Sequence, residues 1–221
     1  MRSFWRKDIL SFRYLDEEGG MQSSFIQYHG DEMETLPSCL PAMQYFRCSS
    51  FHSDESVQRI ASIVAVAPNL KVFEMAEGSL NEGGTKVIAN AFQQTRCLEK
   101  VKLTLKHEDT CAMQSLLDSL QSLSLRGARF SLYSQSRVMA EQLCSYVQNA
   151  GSLEFLDLHF VGNDAEKAFL QIKLPLAPFA SRSLRTLIIR FSLCCDDVDA
   201  VLSAIQNPSC LNELILFYAA A

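Results

Sequence analysis

The side chains able to move protons or attack a carbonyl are scattered along this chain. Histidine is the natural proton shuttle near neutral pH, and the four here, His29, His52, His107 and His159, are far apart in sequence. No serine stands on the Gly-x-Ser-x-Gly turn that exposes a nucleophile. Gly83-Gly84 lacks the continuation to Gly-Lys-Ser/Thr that would wrap a phosphate in backbone N–H groups. The run Asp196-Asp197-x-Asp199 has the donors for a cation, but it stands where a helix opens, and acids there complement the positive end of the helix dipole. Asp54-Glu55 and Asp164 read the same way. We therefore expect no enzyme: no catalytic residue, no cofactor and no metal.

Eight cysteines raise the question of disulfides or zinc. No Cys-x-x-Cys pair exists, no histidine stands at zinc-ligand spacing, and Cys194-Cys195 are adjacent. Cys39, Cys97 and Cys210 each precede a leucine that opens a recurring phrase, in non-adjacent copies of it. The expectation is reduced thiols serving as small, semi-buried fillers, and hence a reducing compartment, cytoplasmic or nuclear.

That phrase is the organising feature. Leu-x-x-apolar-x-apolar begins at Leu40, Leu70, Leu98, Leu153, Leu184 and Leu211, with a weaker copy at Leu125. The starts are separated by 30, 28, 27, 28, 31 and 27 residues, the signature of stacked units rather than of one pocket-bearing globule. Within a unit the apolar spacing changes from two to four. From Leu70 it runs through Phe73, Met75, Leu80, Gly84, Ile88 and Phe92. The pairs Ile60/Val64, Ile88/Phe92, Leu143/Val147 and Val201/Ile205 fall at one offset before the next leucine. Each unit thus predicts a strand, a turn, a helix and a short return.

These residues resemble the leucine-rich repeat family, of the ribonuclease-inhibitor-like type, whose unit reads L-x-x-L-x-L-x-x-(N/C)-x-L, then a glycine and two helical leucines. The resemblance implies an α/β solenoid of about seven repeats, a curved horseshoe with a parallel sheet on its concave face and helices outside. It also implies an asparagine ladder between turns, but here the slot holds Cys48, Gly78, Lys106, Tyr133, Val161, Ser192 and Ala219. Large apolar residues precede the slot at Leu105, Leu132, Phe160, Phe191 and Tyr218. They read as a third inward side chain on a strand lengthened by two residues; the alternative is an apolar stripe on the inner surface.

Residues 1–39 are expected to form an N-terminal cap or degenerate repeat, with Ile9-x-x-Phe12-x-Tyr14 as a strand candidate, and 40–221 the array. The longest gap holds the proline-bearing insertion Lys173–Ser183. The last unit has a strand but no helix before Ala219-Ala220-Ala221. Either the array continues in a longer protein, or another chain covers this uncapped repeat. The chain has 48% hydrophobic residues, 20% charged and a net charge of −5 with both signs interspersed. That pattern gives no basic tract for nucleic acid, and no apolar stretch is long enough to span a bilayer.

The remaining surface for function is the concave sheet. Residues flanking the second core position should point outward there: Gln44/Phe46, Glu74/Ala76, Lys102/Thr104, Arg129/Ser131, Asp157/His159, Ile188/Arg190 and Ile215/Phe217. Glu74 should pair with Lys102 and Arg129 with Asp157, as a structural cross-strand ladder or as part of an interface. The partner-binding candidates are Glu74, Lys102, Arg129, Asp157, His159, Ile188, Arg190, Ile215 and Phe217, and Lys100, Lys102 and Lys106 form a basic spot suited to an acidic partner. The expected function is that of a non-enzymatic protein-binding scaffold. Two alternatives stay open: a substrate-recognition subunit of a ubiquitin ligase, and a GTPase-activating leucine-rich-repeat regulator. Residues 1–39 do not read as an F-box, however, and no edge-loop motif of the GTPase activators is matched.

Overall fold

A parallel pair of strands needs a crossover long enough to hold a helix, and the repeat length supplies one. The computed structural model of the chain describes residues 25–29, 42–49, 53–75, 79–106, 109–133, 137–160, 183–191 and 211–218. Strands β1 (Phe25–His29), β2 (Tyr45–Ser49), β3 (Val72–Met75), β4 (Lys100–Leu105), β5 (Gly127–Leu132), β6 (Phe155–Phe160), β7 (Thr186–Phe191) and β8 (Glu213–Tyr218) form one sheet in chain order. Every neighbouring pair is parallel. Helices α1 (Asp54–Ala65), α2 (Glu82–Phe92), α3 (Thr110–Gln121) and α4 (Arg137–Asn149) follow β2 to β5, each packed on the next. The architecture is an α/β array with an all-parallel open sheet. The strand candidate Ile9–Tyr14, Leu40, Asp164, the insertion Lys173–Arg182, the cluster Asp196–Asp199, Val201, Ile205 and Ala219–Ala221 lie outside the described residues.

Each described turn into a helix is closed by a side chain. Ser53 accepts from the Ser56 N–H, Asn81 from the Gly84 N–H and Asp109 from the Ala112 N–H, satisfying donors that a helix start leaves open. Asp54 and Glu55 sit in the first turn of α1, where the dipole favours them. The expected helix positions Ile60, Val64, Ile88, Phe92, Leu143 and Val147 are all buried. Gly84 is required by close approach: an added Cβ would meet Asn81 Oδ1 at 3.2 Å, Leu80 Cδ2 at 3.3 Å and Val57 Cγ1 of α1 at 3.3 Å. Where the repeat lacks its apolar residue, at Ser119 of α3, the buried hydroxyl donates to the Ser115 carbonyl at 2.8 Å and lies 3.3 Å from Gln93 Nε2.

One core runs between sheet and helices. Its central row is Phe46, Phe73, Val101, Ala128, Leu156 and Leu187, side by side in register and shut off from solvent. Phe46, Phe73 and Phe92 stack through tilted and edge-to-face contacts at 5.9 and 5.5 Å. The third inward side chain exists at Leu105 and Leu132, both buried, and β4 to β8 each have six residues. There the longer-strand reading holds and the apolar-stripe alternative fails. The side chains of Phe160, Phe191 and Tyr218 fall outside the described set.

The first unit corrects the sequence reading. Tyr45 lies opposite Val72 and Phe46 opposite Phe73, so the unit opens at Met43, not Leu40, and Gln44/Phe46 is not the outward pair. Met43, Phe46 and Cys48 are fully buried, while Tyr45 and Arg47 take the outward places. Cys48 is therefore a core position rather than the ladder slot, its thiol 3.6 Å from the Glu74 carbonyl. The physical reason is plain. Met43-x-x-Phe46-x-Cys48 fits the template as well as Leu40-x-x-Met43-x-Tyr45 does, and it alone gives the 27-residue spacing to Leu70. A second correction concerns thiols. Cys97 and Cys111 are free and exposed rather than semi-buried, while Cys48 is a buried filler.

Backbone bonds tie successive units together. At each step from β2 to β8 one carbonyl before a strand accepts two N–H groups from the next unit. Gln44 receives Lys71 and Val72; Lys71 receives Glu99 and Lys100; Glu99 receives Arg126 and Gly127. Arg126, Glu154 and Arg185 repeat the pattern towards β8. Shared acceptors at six consecutive steps fix the register independently of any side chain.

Candidate functional site

Alternation along a strand sends every second side chain away from the helices, and the in-register stack sorts those side chains into rows. One row contains Arg47, Glu74, Lys102, Arg129, Asp157, Ile188 and Ile215. The next contains Thr104, Ser131, His159, Arg190 and Phe217. All nine candidates from the sequence thus fall on one face within two adjacent rows. The backbone of Phe217 sits opposite Arg190; its side chain lies outside the described set.

Two carboxylates organise the polar part. Glu74 accepts from Lys102 Nζ at 2.7 Å and from the Tyr45 hydroxyl. Asp157 is held from both neighbouring strands: Arg129 Nη2 lies 2.6 Å away, and Arg190 forks onto it through Nε at 3.0 Å and Nη2 at 3.1 Å. The two acids are sunk in the sheet while the cations stand over them. The side chains of Glu74 and Asp157 are 3% and 0% exposed, against 20% for Lys102, 18% for Arg129 and 31% for Arg190. Fork-shaped guanidinium contacts on a carboxylate are among the stronger charge-assisted bonds. Bonds of this kind make burial of the acids tolerable.

Electrostatics follow from this layering. Burial by itself would raise the Glu74 carboxyl; the Lys102 ammonium, the Tyr45 hydroxyl and nearby Arg47 outweigh it and hold the group below its ordinary value. Tyr45 is pushed up, first by burial and then by its bond to the Glu74 carboxylate, and remains a phenol donor. Burial lowers the Arg129 guanidinium, with Asp157 opposing. Among the described residues no group of three metal-ligating side chains occurs.

The apolar end has a different layout. Phe155 and Ile188 are buried on the sheet face, in a small cluster apart from the main core, with Ile215 packed against it. Ile188 is thus a contact inside this cluster, and Ile215 is the part of it nearer solvent. Some residues of the face were missed in the sequence, Tyr45, Arg47 and Phe155 among them. Tyr45 and Arg47 were hidden by the Leu40 register. Phe155 was passed over because only the positions flanking the second core residue were taken as outward; the one before them, occupied by Tyr45, Val72, Lys100 and Phe155, faces the same way.

No family model matches the chain, and no curated protein does. Solved structures do. One is the actin-binding site 2 of leiomodin-1, with 12% identity and a TM-score of 0.38 over 75% of this chain and 80% of that one. At that level of similarity the match carries no argument about function.

Proposed function

We propose that this chain is a non-enzymatic protein-binding module, a divergent leucine-rich-repeat solenoid of the ribonuclease-inhibitor-like type, and that its partner docks on the sheet face turned from the helices. The observation that supports this most is the pair of adjacent polar rows, fixed in register by shared backbone acceptors. Side chains already held in place have little further order to lose when a partner docks. On this reading the stack is curved, because strands about 4.8 Å apart and helices about 8–10 Å apart would bend it into a concave trough. Free, exposed Cys97 and Cys111 fit a reducing compartment, cytoplasmic or nuclear.

The test uses bulk rather than charge, since the charges also hold the sheet. Thr104 and Ser131 are half-buried neighbours in the second row. Thr104→Trp and Ser131→Trp should each abolish capture of the partner from cell extract. Gln121→Trp, on the exposed side of α3, should leave capture intact. Equal capture by all three variants would exclude this face as the docking surface.

A further inference from the structure

The chain carries a net charge of −5, yet its sheet face is basic. Across β2 to β7 the outward positions include five cations, Arg47, Lys100, Lys102, Arg129 and Arg190, against two carboxylates, Glu74 and Asp157. Depth adds to the imbalance. Both acids are sequestered while the cations above them reach solvent, so the potential met by an approaching molecule is that of the cations. Arg47 adds to this charge from the same row, in register with Glu74. A surface on which one sign of charge predominates raises the local concentration of oppositely charged ligands.

We infer that this face takes an extended, carboxylate-rich segment of a partner polypeptide, laid across the strands from β2 to β7. The inference rests on the sheet face being the docking surface and adds the chemistry of what docks. The geometry sets the length. Five inter-strand steps of about 4.8 Å make a path of about 24 Å, which about seven or eight extended residues cover. Carboxylates fit this path because Lys102 has an ammonium with three donors, one of them on Glu74, and guanidiniums grip carboxylates in pairs.

A fluorescein-labelled octaglutamate peptide is the probe, titrated with the full chain at low salt and at about 0.15 M salt. Binding should be saturable and salt-sensitive, and an octalysine peptide should not bind. Arg47→Gln should weaken octaglutamate about tenfold, the scale of one charged hydrogen bond. Lys100→Gln serves as a second variant of the same face. Lys86→Gln, the same charge change on exposed α2, should alter affinity less than twofold. Absent octaglutamate binding, equal losses in Arg47→Gln and Lys86→Gln, or tighter binding of a single-stranded oligonucleotide of equal charge would each overturn the proposal. Should the tryptophan blockers still stop partner capture in those cases, the docking face stands and only its acidic preference falls.

Discussion

Asp157→Asn is the sharpest perturbation of this structure, because it removes one charge and almost no volume. The Asp157 side chain has no solvent exposure and bonds to arginines on both neighbouring strands. Removing one partner of a buried ion pair costs about 3–5 kcal/mol, most of it from the charges left behind. Here those charges are Arg129 and Arg190, which keep 18% and 31% exposure and so regain some water. The expected loss is therefore at the lower end, about 3 kcal/mol. For a chain of this size each kcal/mol lowers the melting midpoint by about 2–4 °C, giving a fall of about 6–12 °C by far-UV circular dichroism. A double-mutant cycle with Arg190→Leu should return a coupling of at least about 1 kcal/mol. The apolar replacement Asp157→Leu with Arg129→Met and Arg190→Leu should recover most of the loss. A midpoint within about 2 °C of the parent for Asp157→Asn would refute the reasoning, since that is the behaviour of a solvent-exposed pair.

Three further outcomes follow from single contacts. The Glu74 carboxyl lies below its unfolded value, so the stability it contributes is fully present above about pH 4.3 and is lost as pH falls through the folded value. Glu74→Gln should accordingly be less stable at pH 7 and show a flatter decline in acid, as read by urea midpoints across pH. Gly84→Val should lose about 1–3 kcal/mol through overpacking against Val57 and Leu80. Gly83→Ala, with its nearest neighbour at 3.7 Å, should gain up to about 1 kcal/mol from helix propensity; equal effects at the two sites would contradict the packing between α1 and α2. Exposed Cys97 and Cys111 should react with a thiol reagent in the native protein, whereas Cys48, buried and with its thiol pushed up by that burial, should react only in denaturant.

The parts of the fold that repeat were legible because repetition supplies many independent copies of one signal. Leu70, Leu98, Leu125, Leu153 and Leu184 all open buried phrases, and the cross-strand pairs Glu74–Lys102 and Arg129–Asp157 form where the alignment of units puts them. Legibility failed at the edges. Phe25–His29 pairs with β2 although no leucine opens it and Phe25 stands opposite Tyr45 after only twenty residues, so a leucine template at the usual spacing passes over it. In the next unit two overlapping phrases compete; the 27-residue spacing to Leu70 favours the one from Met43, which turns Tyr45 outward so that its hydroxyl reaches Glu74 one strand away. Nor does period alone say how deep a charged side chain lies. Glu74 and Lys102 occupy the same row, yet only the acid is sunk in the sheet. That layering depends on side-chain length and on what stands beside each residue, which no single strand encodes.

Photo-crosslinking tests the central claim, that the sheet face is where the partner docks. A benzophenone side chain can be placed at Thr104 or Ser131 on the face, and at Ser62 or Gln121 on the exposed sides of α1 and α3. The account predicts partner adducts from Thr104 and Ser131 and none from Ser62 or Gln121. Adducts from the helix positions, with none from the face, would contradict it.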